Sequence, residues 1–358
     1  MAMSVLIIIA SKKSVTKQAS KKLTLILQLV ENITRRYCDK VFLLTGIRRF
    51  WISKGTEEIR EDIEKLNSQK RGRNIESFDF STLYTKIPQE DLKEQLKAVT
   101  KRAFQGGSCN YIKVTHKYAS WTNSKKDTYS YDDVCNLIDL VFDNAVFIFG
   151  KEIFKQIIGM VMGVDPAPPA ANLYLYSYEG KYMEKLTREN YSKAKLYNHC
   201  HRFIDDLSAI NNNGHLQENK SEIYHESLIL NKENEGNTKT TYLDLNINIE
   251  DNKITTSTYD KRDAFTFTVI NYPDITGNIP DRIGYNVIPS QIIRHARNCT
   301  LWKDAKNRIQ QLIQNLQQKG YENKRILNSI RKCLQKHAWI EKKYKLKRHE
   351  FLTECTTF

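Results

Sequence analysis

Arg202-Phe203-Ile204-Asp205-Asp206-Leu207-Ser208-Ala209-Ile210 reads as strand–turn–strand with two carboxylates at its centre. A carboxylate flanked by Ile204 and Leu207 is costly to bury unless something positive meets it. The same conflict occurs upstream, where Ile75-Glu76-Ser77-Phe78-Asp79-Phe80 alternates into a strand that sets Asp79 between two phenylalanines. Three such acids converging would offer hard oxygen ligands suited to Mg²⁺. Two ions roughly 3.5–4 Å apart can clamp the attacking and leaving oxygens of an in-line phosphoryl transfer. Strand alternation sends Asp205 and Asp206 to opposite faces, so Asp205 is expected as the direct ligand and Asp206 as a secondary one. An Asp-Asp pair in a turn is, taken alone, more often plain turn chemistry.

Outward from these strands there is no repeat and no low-complexity linker. Residues 4–10 suggest a buried strand, an apolar run too short for a signal peptide or a membrane span. Lys21 to Lys40 reads as a basic helix and Glu57 to Leu66 as a charged one. After Asp79 a helix is predicted with Pro88 in its first turn, Glu90 and Asp91 at its positive end, and Leu92, Leu96 and Val99 on one face. Residues 106–130 are polar and read as an exposed, irregular insertion. Asp132 to Asn144 is helical by pattern, residues 146–157 form a hairpin around Gly150-Lys151, and a mostly apolar helix from Ala170 to Leu186 is expected to be buried. Leu243, Leu245, Ile247 and Ile249 alternate with polar residues as a strand that turns at Asp251-Asn252-Lys253. Beyond Pro289 helical stripes follow: Ile309, Leu312, Ile313 and Leu316, then Ile326, Ile330 and Leu334. Strands and packed helices in the middle, with a helical end, make the fold α+β.

The net charge of +15 is unevenly spread. Residues 1–60 carry +8 and residues 290–350 carry +12, while 61–289 carry −4. Two basic ends around a slightly acidic middle suit a protein that grips phosphates with its ends and keeps carboxylates for metal ions between them. Solvated basic helices are the plainer reading of the same charge. Seven scattered cysteines without a CxxC spacing read as reduced thiols of an intracellular protein. His199-Cys200-His201 does not read as a metal site, because adjacent strand residues point to opposite faces.

The combination of words is more specific than any one of them. Phe78-Asp79-Phe80-Ser81-Thr82-Leu83-Tyr84-Thr85-Lys86-Ile87-Pro88 resembles motif A of the reverse transcriptases of Penelope-like retroelements almost letter for letter. Residues 156–168, beginning Gln156-Ile157-Ile158-Gly159-Met160-Val161-Met162-Gly163 and continuing to Asn172, resemble their motif B. Phe203-Ile204-Asp205-Asp206 resembles motif C, Lys232 falls where motif D keeps a basic residue, and Tyr242-Leu243-Asp244-Leu245 resembles the primer-grip hairpin of motif E. Tyr259-Asp260-Lys261-Arg262-Asp263 and Asn278-Ile279-Pro280 are further family words, all in order over residues 4–335.

The resemblance implies a right-hand polymerase: partial fingers over 1–78, a palm with an antiparallel sheet over 79–260, a connection and helical thumb over 261–345, and a tail over 346–358. It implies an RNA-directed DNA polymerase, a nucleotidyltransferase joining dNTP to a DNA primer on an RNA template. Asp79, Asp205 and Asp206 would hold two Mg²⁺ ions, with Mn²⁺ as the alternative, and Lys232 would serve as proton donor to pyrophosphate. Tyr84 is expected as a gate against a ribose 2′-OH. Gln156, Gly159, Met162, Gly163 and Phe203 would line the substrate site, with Gly159 and Gly163 letting backbone approach the base pair and Lys12, Lys13 and Lys17 as phosphate contacts. No membrane partner is expected. Against the family's pattern, the arginine-bearing segment before the fingers strand and the GIY-YIG endonuclease are absent, and Val161 replaces a proline. The chain therefore reads as an N-terminally short, endonuclease-lacking copy of a transposable element. The alternative is a truncated or domesticated remnant that binds nucleic acid without catalysis; a telomerase-like polymerase is a further one. Lys342-Lys343-Tyr344-Lys345-Leu346-Lys347-Arg348 reads as a nuclear signal or a phosphate contact of the thumb, and favours a nuclear over a cytoplasmic location.

Overall fold

Leu23, Ile26, Leu27 and Val30 recur at helical spacing, and all are fully buried along one face of a helix running from Lys17 to Thr45. The computed structural model describes residues 16–107, 109–149, 151–160, 164–267, 269 and 272–356. The strand expected over 4–10 lies outside them. In chain order the elements are α1 (Lys17–Thr45), α2 (Thr56–Ser68), β1 (Ile75–Ser81), α3 (Leu83–Lys86), α4 (Gln89–Gln105), β2 (Tyr111–Val114), β3 (Ala119–Thr122), β4 (Thr128–Tyr129) and α5 (Tyr131–Asp143). There follow β5 (Val146–Phe149), β6 (Glu152–Lys155), α6 (Ala167–Glu189), α7 (Tyr191–Lys195), β7 (Cys200–Phe203), β8 (Asp206–Ile210), α8 (His215–Ile223) and β9 (Ile229–Lys232). The remainder holds β10 (Lys239–Tyr242), β11 (Leu245–Glu250), β12 (Lys253–Thr258), α9 (Asp281–Tyr285), α10 (Val287–Asn298), α11 (Trp302–Gln318), α12 (Asn323–Lys336), α13 (Trp339–Tyr344) and α14 (Arg348–Thr356). No described helix is long and apolar enough to cross a membrane.

The chain divides into two compact units, Met1–Lys54 with Glu76–Glu233, and Gly55–Ile75 with Asn234–Phe358. This division differs from the expected boundaries at 78 and 260. Residues 234–260, expected in the palm, fold with the C-terminal helices, because β12 is bonded to the chain around Asn298. The Thr256 hydroxyl donates to the Asn298 carbonyl at 2.6 Å, and the Thr300 amide donates to the Thr256 carbonyl at 2.7 Å. Asn67 brings the segment 55–75 to the same strand by bonding both the amide and the carbonyl of Ile254.

In the first unit a four-stranded sheet has the order β7-β8-β1-β9. Its pairs β7–β8 and β1–β9 are antiparallel, with Phe203 opposite Asp206 and Asp79 opposite Asn231. The expected buried helix is α6, whose Leu173, Tyr174 and Leu175 are all fully enclosed. It is tied to the first turn of α4 by Asp91, which accepts from the Tyr174 and Tyr178 hydroxyls at 2.7 and 2.5 Å. Burial opposes charge on Asp91, but hydrogen bonds from Tyr178, Gln95 and Tyr174 outweigh it and hold the carboxyl below its usual range. The hairpin around residues 150–151 forms as β5–β6. The stretch 106–130 is not irregular: β3-β2-β4 make a small sheet. Ile112 is fully buried there, and Trp121 meets Phe104 edge-on with ring centroids 4.7 Å apart.

The second unit has the sheet β10-β11-β12 and the C-terminal helices. Asp251 and Asn252 both take left-handed backbone in the β11–β12 turn, as a two-residue hairpin demands. Leu243, expected in the strand, is also left-handed and belongs to the β10–β11 turn. The predicted stripes of α11 and α12 share one core with Phe351 and Cys355. Within the stretch expected as a tail, residues 348–356 form α14, which closes this core. The basic run is also partly consumed: Lys343 donates to the Ala296 carbonyl at 2.7 Å and Arg348 pairs with Glu341 at 3.0 Å.

Phe351 is fully enclosed, so Phe351→Ala should destabilise this unit by about 3–5 kcal/mol. The check is the denaturant midpoint; an unchanged midpoint would return residues 346–358 to the status of a tail.

Candidate active site

β1 lies between β8 and β9, and the Phe80 amide donates to the Asp205 carbonyl at 3.1 Å. Asp79 and Asp205 are thus carried on bonded neighbours, each half-exposed. Asp205 sits in the β7–β8 turn, while Asp206 opens β8 opposite Phe203, itself half-buried. Left-handed backbone flanks both segments: Thr82 has φ +67° and Ile204 has φ +55°. For a β-branched residue this conformation is strained by about 1–3 kcal/mol, and it persists only where its surroundings impose it.

The turn at Thr82 sets α3, and with it Tyr84, beside the carboxylates. Burial first, then the charge of Asp205, pushes the Tyr84 phenol up to about 12, so the hydroxyl keeps its proton. The loop after β6 is stitched to the same segment. Gly159 N donates to Ile87 O at 2.8 Å and Met160 N to Tyr84 O at 2.6 Å. Gln89 Nε2 donates to the carbonyls of Gln156 and Gly159 at 3.0 and 3.1 Å. Gly159 has φ +81°, and a Cβ there would come within 2.5 Å of the Tyr84 carbonyl oxygen. Its freedom serves a close approach to the backbone of Tyr84. The Gln156 side chain folds over its own turn, donating to Ile158 O at 2.9 Å. Met162, Gly163, Lys12 and Lys13 lie outside the described residues. Lys17, expected at a phosphate, pairs with Asp165 at 2.8 Å.

Lys232 is placed differently from expectation. It stands opposite Phe78 in the β1–β9 register, whereas Asp79 stands opposite Asn231. Paired residues share a face and successive ones alternate, so Lys232 and Asp79 project from opposite faces of the sheet. The ammonium is held by Glu76 Oε1 at 2.7 Å.

Among the described residues no three His, Cys, Asp or Glu side chains are gathered closely enough to hold a metal ion. Mg²⁺ does not require such a cage. It is bound through one or two carboxylates, with waters and substrate phosphates completing its shell. Asp79 and Asp205 fit that donor set.

Behind the turn lies a group built on Arg202, Glu179 and Tyr224, which the motifs do not include. Arg202 and Glu179 are both 0% exposed. The guanidinium gives Nε and Nη2 to Glu179 at 2.6 and 3.1 Å, and Nη1 to Asn172 Oδ1 at 3.2 Å. It also gives Nη1 to the carbonyl of Ile204 at 3.1 Å, one residue before Asp205. Tyr224 donates its hydroxyl to Glu179 at 3.0 Å; burial and the Glu179 charge raise its phenol well above the ordinary value, so it remains a donor. The sequence carries only a faint signal for this group: Arg202 leads into an apolar hairpin, and Glu179 follows a run of leucines and tyrosines in α6.

No family model and no curated protein matches the sequence. By structure the chain is similar to telomerase from Candida albicans in complex with a TWJ fragment of telomeric RNA. The TM-score is 0.63 at 10% identity, covering 94% of this chain and 55% of that one. It is also similar to apo telomerase from Candida tropicalis, with a TM-score of 0.50 at 15% identity over 94% and 54% of the two chains. The chain thus spans about half the length of these telomerases. At such identity the likeness shows the fold alone, a mixed α/β arrangement with antiparallel sheets.

Removing one partner of the buried pair leaves an uncompensated charge, so Arg202→Met should cost about 3–5 kcal/mol in chemical denaturation. Arg202→Met with Glu179→Leu should recover most of that loss. A double variant no more stable than the single one would show that the pair is not the source of the cost.

Proposed function

We propose that this chain is an RNA-directed DNA polymerase of the Penelope-like type, extending a DNA primer with dNTP on an RNA template. The observation that carries the reading is the Phe80–Asp205 hydrogen bond, which sets the acids of the two motif segments on neighbouring strands, with Tyr84 in the field of Asp205. The likeness in fold to telomerase supports it. The right-hand arrangement belongs to the same proposal, with the catalytic sheet in the first unit and duplex-tracking helices in the second.

Asp79 and Asp205 would hold Mg²⁺, with Asp206 in a secondary place. When bound, the metal supplies Lewis-acid stabilisation of the oxygens that exchange at phosphorus. The chain's own residues do the rest. The Arg202 guanidinium fixes the carbonyl next to Asp205, so that carboxylate is presented without reorganisation. The stitched loop holds Tyr84 by its carbonyl, which keeps the ring where shape can exclude a ribose hydroxyl. Lys232, on the far face and bound to Glu76, takes no part in proton transfer here.

In a primer-extension assay, Asp205→Asn should lower the rate on the order of 1,000-fold while leaving primer–template affinity in place. Binding without extension by the native chain would instead identify a non-catalytic remnant. Tyr84→Ala should reduce the ratio of dNTP to rNTP incorporation by roughly 10–200-fold. A ratio that stays fixed while both incorporations fall, with about 3–5 kcal/mol of lost stability, would make Tyr84 a core residue instead of a gate.

A further inference from the structure

Away from these acids, α1, the C-terminal end of α4 and the middle of α6 leave a cavity of about 860 Å³. Its floor is largely apolar, with the Cys38 thiol and the Tyr176 phenol 3.2 Å apart. Burial pushes that thiol up to about 11, so the floor is uncharged. The walls carry Arg36, Lys40, Arg49 and Arg102 against Asp39 and Glu184, and Glu184 already faces Arg188 at 3.6 Å.

Among the described residues, none of those four cations has an ion pair or a side-chain hydrogen bond with a protein group. Their sequence neighbours do: Arg35 donates to the Ile52 carbonyl at 2.6 Å and Arg48 to the Asn198 carbonyl at 3.4 Å. Arg49 Nε is shielded from solvent and has no hydrogen-bond partner. A buried donor left unsatisfied is costly, and four like charges around one low-dielectric concavity repel one another. Both costs disappear when an anion enters. At the rim, one turn of α1 from Lys40, the Tyr37 ring is 60% exposed.

We propose that this cavity is a second nucleic-acid contact, in which phosphates of a single strand meet Arg36, Lys40, Arg49 and Arg102 while a base stacks on Tyr37. The inference rests on the reading that the chain acts on nucleic acid, but not on its chemistry. An acidic peptide would satisfy the cations and leave the exposed ring without a role. A base has a π-face for that ring, and a basic groove lined with aromatic side chains is how single strands are bound without sequence readout. A duplex keeps its bases stacked inside and cannot offer one to a concave floor.

The test uses the purified full chain and labelled single-stranded RNA and DNA oligonucleotides, with binding measured over a range of salt. Arg36→Glu with Arg102→Glu should weaken single-strand binding by roughly tenfold or more and flatten the log–log salt slope by about 0.7 for each phosphate that is no longer neutralised. Arg49→Gln, which tests the shielded donor without reversing charge, should act in the same direction and confirm the effect if the double variant folds poorly. Tyr37→Ala should lower affinity roughly 5–150-fold with the salt slope unchanged, because the ring holds a base and no phosphate. Variants that bind single strands with native affinity and slope would overturn this inference alone. A native chain without affinity for any nucleic acid would overturn it together with the polymerase reading. Poly-glutamate that competes as well as the oligonucleotide, and loses that ability in the same variants, would assign the cavity to an acidic peptide and overturn the proposal. A catalytic reading that fails on Asp205→Asn leaves the assay readable, because binding requires no nucleotide addition.

Discussion

Arg202 brings a full positive charge into a place without water, and its partners come from distant parts of the chain. Glu179 and Asn172 come from α6, and the Ile204 carbonyl from its own hairpin turn. Asn172 in turn donates to Glu31 of α1, and Tyr224 closes the far side of Glu179. A guanidinium removed from water must have nearly every donor met, and a planar fork can be met only by acceptors in set positions. The group therefore fixes where β7 lies against α6. Apolar residues of the same volume could give similar stability, but they would not specify the orientation of one carbonyl. That carbonyl belongs to Ile204, whose left-handed backbone turns the chain so that Asp205 faces β1.

Once that turn is set, the strained conformation of Thr82 has a counterpart. Two β-branched residues hold unfavourable backbone, Thr82 just after the strand that carries Asp79 and Ile204 just before Asp205. Neither conformation would survive alone, and each is imposed by bonds to another segment. Thr82 is followed by α3, whose Tyr84 carbonyl accepts from the Met160 amide and lies against Gly159, while Ile87 just beyond the helix accepts from the Gly159 amide. Strain of this kind gathers where a polar group must be aimed, and both instances here aim at the same small region. The Tyr84 phenol, raised by burial and by Asp205, shows the same convergence electrostatically.

Long, strongly periodic elements are legible from the sequence: α1, α4, α5, α6, α11, α12 and the β11–β12 hairpin. Apolar spacing dictates them, and tertiary context only confirms it. The small sheet over residues 111–129 is not legible, since its strands run for two to four residues and carry few apolar side chains. α14 escapes pattern reading because Phe351, Leu352 and Cys355 are its only apolar residues, a stripe too short to read alone. The unit boundary near 233 follows from hydrogen bonds such as Thr256 to Asn298, between residues too far apart in sequence for any pattern to join. Motif order alone groups Asp79, Asp205 and Tyr84, and the structure adds that the segments carrying them are neighbours. The place of Lys232 is not legible, because its role depends on register: one step along β9 decides whether a side chain shares a face with Asp79 or with Glu76.

The charge map also changes meaning once partners are known. Residues 290–350 hold the larger excess of positive charge, yet many of their cations already have a carboxylate. Arg294 pairs with Asp244, Lys306 with Glu354, Arg308 with Asp263 and Arg325 with Asp281. Such partly exposed pairs contribute about 0–1 kcal/mol each, so a phosphate can displace the carboxylate at small cost but with little net gain. Arg36, Lys40, Arg49 and Arg102 start from the opposite condition. Among the described residues none of them has an ion pair, so an entering phosphate displaces no bonded carboxylate and is opposed by the ordering of the strand. A count of lysines and arginines along the chain therefore does not tell which of them are already matched by a carboxylate.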